Sequence, residues 1–239
     1  MSHLRNIGVP LTLIALSSLG TIAQAQTTKN IPVVNPSFEA TLNPAFPGTF
    51  FSKEDVPGFT GTTNGGFNFG EQSNANGANP QTTDGTQYAF INTGSLLQTV
   101  NATLTAGDTY TLTASLSGGD ATASNPTLSI NDGTGIANGG TTADPTVLVT
   151  QAFAGTAGPG FTPVSVSFIA TAAQARSVNA LQIQLSKIGG TETFFDTVRL
   201  TQTAPAAAPE PSQAAALGLG VLGLAGLAFK ARKRSALTA

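Results

Sequence analysis

Carboxylates are the side chains best able to do chemistry in this 239-residue chain, because its single histidine is His3 and cysteine is absent. Without histidine or thiol beyond residue 3, neither a Ser-His-Asp nor a Cys-His nucleophilic site can be assembled, and a transition metal lacks its usual ligands. A glycosidase-type carboxylate pair is arithmetically open. Yet Asp84, Asp108, Asp120, Asp132 and Asp144 lie in stretches rich in Gly, Thr, Asn and Pro, where Asp is favoured for backbone reasons. Two acids stand apart. Asp196 shares alternation parity with Phe194, Val198 and Leu200, which predicts that it points toward a buried face, and Glu39 directly follows Phe38. A buried carboxylate needs a cation or several hydrogen-bond donors, since leaving it bare costs several kcal/mol. No Gly-rich phosphate loop precedes a helix, and the residues expose no catalytic constellation, so the expectation is a protein that is not an enzyme.

The elements that must carry these acids are strands. Tyr110, Leu112, Ala114 and Leu116 alternate with threonines and Ser115; Val164, Val166 and Phe168 alternate with serines; Leu181, Ile183 and Leu185 alternate with Gln182, Gln184 and Ser186. Period-two patterns of this kind describe strands with one buried and one wet face. Weaker strands are expected at 31–34, 88–91, 96–100, 127–130 and 146–153, which makes about nine, with no helical period between residues 26 and 203. Strands without α/β alternation predict an all-β, jelly-roll β-sandwich for residues 26–203. Residues 58–85, rich in Gly, Asn and Thr, break the rhythm and read as a long loop, either a surface loop or a ligand-binding rim. The domain carries five basic and eleven acidic residues, net −6, so it has no electrostatic footprint for nucleic acid.

The two ends read as addresses. Residues 1–25 combine a weakly basic start, an apolar run from Ile7 to Leu19 and a small-x-small cleavage site, Ala23-Gln24-Ala25 before Gln26: a secretory signal peptide. Residues 204–213 form a linker that contains Pro209-Glu210-Pro211. Residues 214–229 are an uncharged apolar stretch, read as a transmembrane helix of about 24 Å against a bilayer core of about 30 Å. Lys230, Arg232, Lys233 and Arg234, in a basic cytoplasmic tail at 230–239, stop the span and hold it with the domain outside.

Pro209-Glu210-Pro211, the apolar stretch and the terminal basic cluster together resemble the PEP-CTERM sorting signal of Gram-negative bacteria. That resemblance implies processing by signal peptidase and an exosortase-type protease, an inner-membrane-anchored precursor, and a final place at the cell surface or outside the cell. Within the domain, Asn35-Pro-Ser-Phe-Glu39, Asp84-Gly-Thr-Gln-Tyr-Ala-Phe90, Leu97-Gln-Thr-Val100 and Phe194-Phe-Asp-Thr-Val-Arg-Leu200 resemble galactose-binding-like jelly-roll domains. In carbohydrate-binding relatives the matching acids bind a structural calcium ion, so the resemblance implies Ca²⁺ at Glu39 and Asp196; the other reading is that Asp196 accepts backbone N–H bonds at a strand end. Sugar sites commonly stack a ring on Trp or Tyr, and this chain has no Trp and two Tyr. Tyr110 lies at core parity, which leaves Tyr88, with Asn92 and Gln98 as polar partners, as the place for a sugar. Two functions follow as expectations: an exported noncatalytic surface or extracellular-matrix protein, or a carbohydrate-binding module for an extracellular polysaccharide.

Overall fold

The structure, a computed structural model, describes residues 25–40, 55–62, 69–73, 82–117, 124–133, 146–154 and 160–207. They fall almost wholly within one compact unit, Gln26–Pro205. Pro209, Glu210, Pro211, Ala23, the 214–229 segment and Lys230, Arg232, Lys233 and Arg234 lie outside the described residues, whereas Ala25 and Gln26 are described and exposed. Among the described residues no helix is long and apolar enough to cross a membrane.

Eleven strands are described: β1 (Thr28–Ile31), β2 (Thr60–Thr62), β3 (Phe69–Ser73), β4 (Gln87–Ile91), β5 (Ser95–Val100), β6 (Thr109–Ser117), β7 (Asn125–Asp132), β8 (Thr146–Ala152), β9 (Thr162–Ile169), β10 (Leu181–Ile188) and β11 (Thr193–Thr203). One sheet runs β3-β4-β11-β6-β9, with β1 added beside β11; the other runs β2-β5-β10-β7-β8. Every pairing is antiparallel. Together they form an all-β sandwich with one core between the sheets. Alternation builds it: Tyr110, Leu112, Ala114 and Leu116 of β6 and Leu181, Ile183 and Leu185 of β10 all enter that core, as do Leu128 and Ile130 of β7. A side chain of this size contributes about 1.5–3 kcal/mol when fully buried. Tyr110 keeps its polar end satisfied there, donating to the Thr103 carbonyl at 3.0 Å and accepting from the Thr105 N–H at 2.9 Å, while its ring stacks on Phe168.

Two expectations need correction. The 58–85 stretch is not one long loop, because β2 and β3 lie inside it. Both are short edge strands built from Thr-Gly-Thr and Phe-Gly-Glu-Gln-Ser, too poor in β-formers to announce themselves. Nor does a single parity run through β11. Its register on β6 shifts between Asp196 and Arg199, where a bulge inserts an extra residue. Phe195, Val198 and Leu200 therefore enter the core, while Phe194 joins a separate cluster with Tyr88 and Phe90.

Gln98 faces inward opposite Ile183 and latches the chain entering the sandwich. Its Oε1 accepts from the Val34 N–H at 2.7 Å, and its Nε2 donates to the carbonyls of Val34 and Gly58, each at 2.9 Å. This structural duty replaces the ligand role expected of it. Replacing Gln98 with Leu strands those backbone groups and should cost about 1–3 kcal/mol. Denaturant unfolding measures that loss; unchanged stability would contradict the latch.

Candidate active site

Two acids and one loop form the polar hub of the domain. Asp196 is fully buried at the β11 bulge. Its Oδ2 accepts from the Thr83 N–H at 2.9 Å, the Thr83 hydroxyl at 2.8 Å and the Asp84 N–H at 3.2 Å, and its Oδ1 accepts from the Thr197 N–H at 2.7 Å. From the other side Glu39 Oε1 accepts from the N–H groups of Thr86 and Gln87, both at 2.6 Å. The two carboxylates thus grip residues 83–87 between them. Ser37 adds a 2.7 Å bond from its hydroxyl to Asp84 Oδ2, and the Val198 N–H donates to the Pro36 carbonyl at 2.7 Å.

The backbone around this hub is bent into unusual shapes. Asn35, Phe38 and Thr197 all have positive φ, at 51°, 57° and 52°. Asn tolerates that region, but a bulky or β-branched residue there stores strain on the order of 1–3 kcal/mol. Thr197 is held in place by its hydroxyl contact with Thr83 at 2.8 Å and by the Asp196 carboxylate. Gly85, at φ 70°, permits the close approach, since a Cβ there would run into the Glu39 carboxyl.

The bulge also decides which surface Asp196 joins. It pairs with Ser115 as Phe194 pairs with Ser117, so Asp196 and Phe194 stand on the same face of β11, the face turned away from the core. The β11–β4 ladder ends at Phe195–Ala89, and Tyr88 is clustered with Phe194, which is on the same face of β11 as Asp196. Tyr88 is fully buried among aromatic rings: Phe194 meets it edge-on at 5.0 Å and Phe161 at 5.7 Å, with Phe90 completing the cluster. Its hydroxyl is buried and has no hydrogen-bond partner. Burial, with the nearby Glu192 charge adding to it, pushes the phenol pKa upward, so Tyr88 keeps its proton and remains a donor. Burial likewise pushes the Asp196 carboxyl up, against the opposing pull of its Thr83, Thr197 and Asp84 donors.

The remaining expected ligand residues are not assembled with Tyr88. Asn92 sits half-buried after β4, and Gln98 belongs to the other sheet's inner face. Conversely, sequence patterning passed over Glu71 of β3. It is fully buried, its Oε1 accepts from Asn35 Nδ2 at 2.7 Å, and burial raises its pKa from 4.5 to about 8, with the charges of Asp55 and Glu39 adding to the rise. A single acid inside a Gly-containing edge strand carries no pattern that would have marked it.

The chain is thus a jelly-roll β-sandwich with a packed aromatic cluster and a buried carboxyl on one sheet face. The HpiC1-like family model, described as HpiC1 cyclase, matches residues 29–201, and the chain belongs to that family. This overturns the expectation of a noncatalytic protein: the family is one of cyclases. The fold is shared with the Stig cyclase Fisc of Fischerella sp. TAU, crystallised with (3Z)-3-(1-methyl-2-pyrrolidinylidene)-3H-indole (20% identity, TM-score 0.58, covering 76% of this chain and 100% of that one). A cyclase of the same organism in complex with 4-(1H-indol-3-yl)butan-2-one is similar at 21% identity and TM-score 0.58, covering 75% and 100%. The CBM22-1 xylan-binding domain of Paenibacillus barcinonensis Xyn10C matches at 11% identity and TM-score 0.46, covering 77% and 98%. No curated protein matches the chain.

Glu71 generates a pH prediction. Its folded pKa of about 8 lies above the ordinary 4.5. The protonated form therefore favours the fold, with the contribution complete below about pH 4.5 and lost as pH rises through about 8. Melting temperature should fall across that window, and Glu71→Gln should flatten the fall. Parallel melting profiles for parent and variant would contradict the assignment.

Proposed function

We propose that the protein is a cyclase that closes a ring in an apolar, unsaturated substrate held against Tyr88, Phe90, Phe161 and Phe194, with Asp196 as the general acid. The observation that carries this reading is the buried Tyr88 hydroxyl without a partner, in a ring cluster on the same face of β11 as Asp196, a buried carboxyl whose pKa is raised. An orphaned donor in an aromatic cluster suits a ligand with one polar atom and a flat apolar body. The indole-bearing molecules named with the Fischerella cyclases share the flat apolar body, each with two polar atoms. Phe161, half-buried before β9, borders the cluster, and the substrate enters past it.

Chemically, the Asp196 carboxyl gives its proton to one carbon of a substrate π bond. A second π bond of the same molecule supplies the electron pair for the new C–C bond. A neighbouring carbon then loses a proton back to the carboxylate. The sum is an isomerisation. General acid catalysis of this kind contributes roughly 10²–10⁴-fold. Asp196→Asn keeps an oxygen for the Thr83 and Asp84 donors but has no proton to give. With alkenyl-substituted arenes as substrates, the parent should form products of unchanged mass and altered retention, and Asp196→Asn should slow this by at least about 100-fold. Equal rates would remove Asp196 from the mechanism.

Calcium is the alternative proposal for the same carboxylates. The surroundings are hard oxygens of the type calcium takes, and Glu39 Oε2, which accepts from the Thr86 hydroxyl at 3.4 Å, and Asp196 Oδ1, which accepts from the Thr197 N–H, keep lone pairs. Against this, among the described residues no three His, Cys, Asp or Glu side chains cluster to hold an ion, so carbonyls and hydroxyls would have to complete the shell. A bound cation would keep Asp196 anionic and so exclude it as an acid. The cyclase reading therefore predicts the same melting temperature in calcium and in chelator. A drop of several degrees on chelation would assign Glu39 and Asp196 to an ion instead.

We also propose that the chain is exported and sorted. Supporting this are Ala23-Gln24-Ala25 before Gln26, Pro209-Glu210-Pro211 and the apolar stretch closed by Lys230, Arg232, Lys233 and Arg234. Signal peptidase and an exosortase-type protease would be its processing partners and the cell surface its destination. Mass spectrometry of the exported protein should find a mature start at Gln26, and Glu210→Ala should leave the tail attached in a host with the cognate protease. Retention of residues 1–25, or tail loss unaffected by the substitution, would contradict the proposal.

A further inference from the structure

The folded domain begins at the proposed mature start of the chain. Its compact unit runs from Gln26, and the first strand, β1, opens two residues later at Thr28. Ala25, Gln26 and Thr27 belong to no strand and are exposed. Among the described residues no hydrogen bond holds the Gln26 side chain, and the first anchor of the chain is the Thr27 carbonyl, which accepts from the Ala204 N–H at 3.0 Å. Gln26 therefore stands one residue outside the folded domain, with backbone and side chain free to turn.

The strand that follows makes this end vulnerable. β1 is four residues long, pairs with β11 alone among the described strands, and buries only Ile31. The Thr28 and Thr203 hydroxyls meet at 3.0 Å, and the Thr27–Ala204 bond closes the ladder just before the chain leaves through the 204–213 linker. Exposed termini are where proteolysis concentrates. Trimming of residues 26 and 27 would remove the Thr27–Ala204 bond and bring an exopeptidase to the edge of β1.

We propose that the mature N-terminus is a modification site: Gln26 cyclises to pyroglutamate and caps β1 against aminopeptidases. The inference rests on the proposed cleavage after Ala25 and is independent of the ring-closing chemistry assigned to Asp196. Cleavage leaves a glutamine with a free α-amine of pKa about 7.7–8.0, so part of it is neutral and nucleophilic near neutral pH. The amine nitrogen attacks Cδ of its own side chain and forms a C–N bond. The bond from Cδ to Nε2 breaks, and Nε2 departs as ammonia, taking a proton from the amine. The product is a lactam ring, and neither an oxidant nor water is consumed. Residues 25–27 lie outside the ladder, so closing the ring disturbs no hydrogen bond of the fold. The lactam lacks the terminal charge and the primary amine that an aminopeptidase recognises.

Edman sequencing of the intact exported protein tests the proposal. The parent should yield no first residue until pyroglutamyl aminopeptidase is added, and should then read Thr27 first. Gln26→Ala keeps Ala23 and Ala25 for signal peptidase but cannot cyclise. That variant should read directly from residue 26, and a general aminopeptidase that leaves the parent whole should strip its residues 26 and 27. Glutamine in the first cycle of the untreated parent would overturn the cyclisation while upholding the start at Gln26. A block that pyroglutamyl aminopeptidase does not open would also overturn it. Any other first residue would overturn the start itself, and the modification with it. Equal resistance of parent and Gln26→Ala to the general aminopeptidase would overturn the protective role.

Discussion

Burial of the Asp196 carboxyl is the constraint around which the domain is arranged. A carboxyl removed from water must be met by donors, by a cation or by a proton. Here three donors converge on one of its oxygens from Thr83 and Asp84 and a fourth reaches the other from Thr197. Meeting that demand bends β11 into a bulge, forces Thr197 to positive φ and draws residues 83–87 against the last strand. Glu39 closes the far side of the same loop through Thr86 and Gln87. One acid near each end of the domain thus fixes a segment between them in sequence.

The bulge has a second effect, on surfaces rather than on stability. Without it, Phe194, Val198 and Leu200 would share one face, as simple alternation demands. With it, Phe195, Val198 and Leu200 fill the core, which frees Phe194 and Asp196 to stand with Tyr88 on the opposite side. The sheet is therefore apolar on both faces at this end. One layer holds the sandwich together, and the other collects rings around an unpartnered phenol. Strain of about 1–3 kcal/mol at a left-handed Thr is of the size that persists where surrounding contacts over-determine it.

Much of this was legible in the sequence. Period-two runs placed β6, β9 and β10 and identified the all-β class, because each of these strands buries one face only. Glu39 and Asp196 were singled out from a resemblance, as calcium ligands; the structure sets both against residues 83–87. What stayed hidden follows from local physics. Thr60–Thr62 and Phe69–Ser73 are edge strands whose pairing comes from β5 and β4 rather than from their own propensity. A bulge has no sequence period, so the parity of Phe194 was misjudged. Gln98 and Tyr88 both read as polar groups near a loop, and only the fold separates the backbone latch from the ring-cluster residue. An enzyme was discounted because histidine and cysteine are missing, yet a carboxyl whose pKa is raised by burial can carry acid chemistry without either.

The state of Asp196 is the most direct point of attack. Its carboxyl carbon, followed by NMR in isotopically labelled protein, reports the protonation midpoint itself. The account predicts a midpoint above the ordinary 3.8, because burial outweighs the four donors, and no change when calcium is added. A midpoint at or below 3.8, or one that moves down with calcium, would show a permanent carboxylate and would contradict a ring-closing acid at this site.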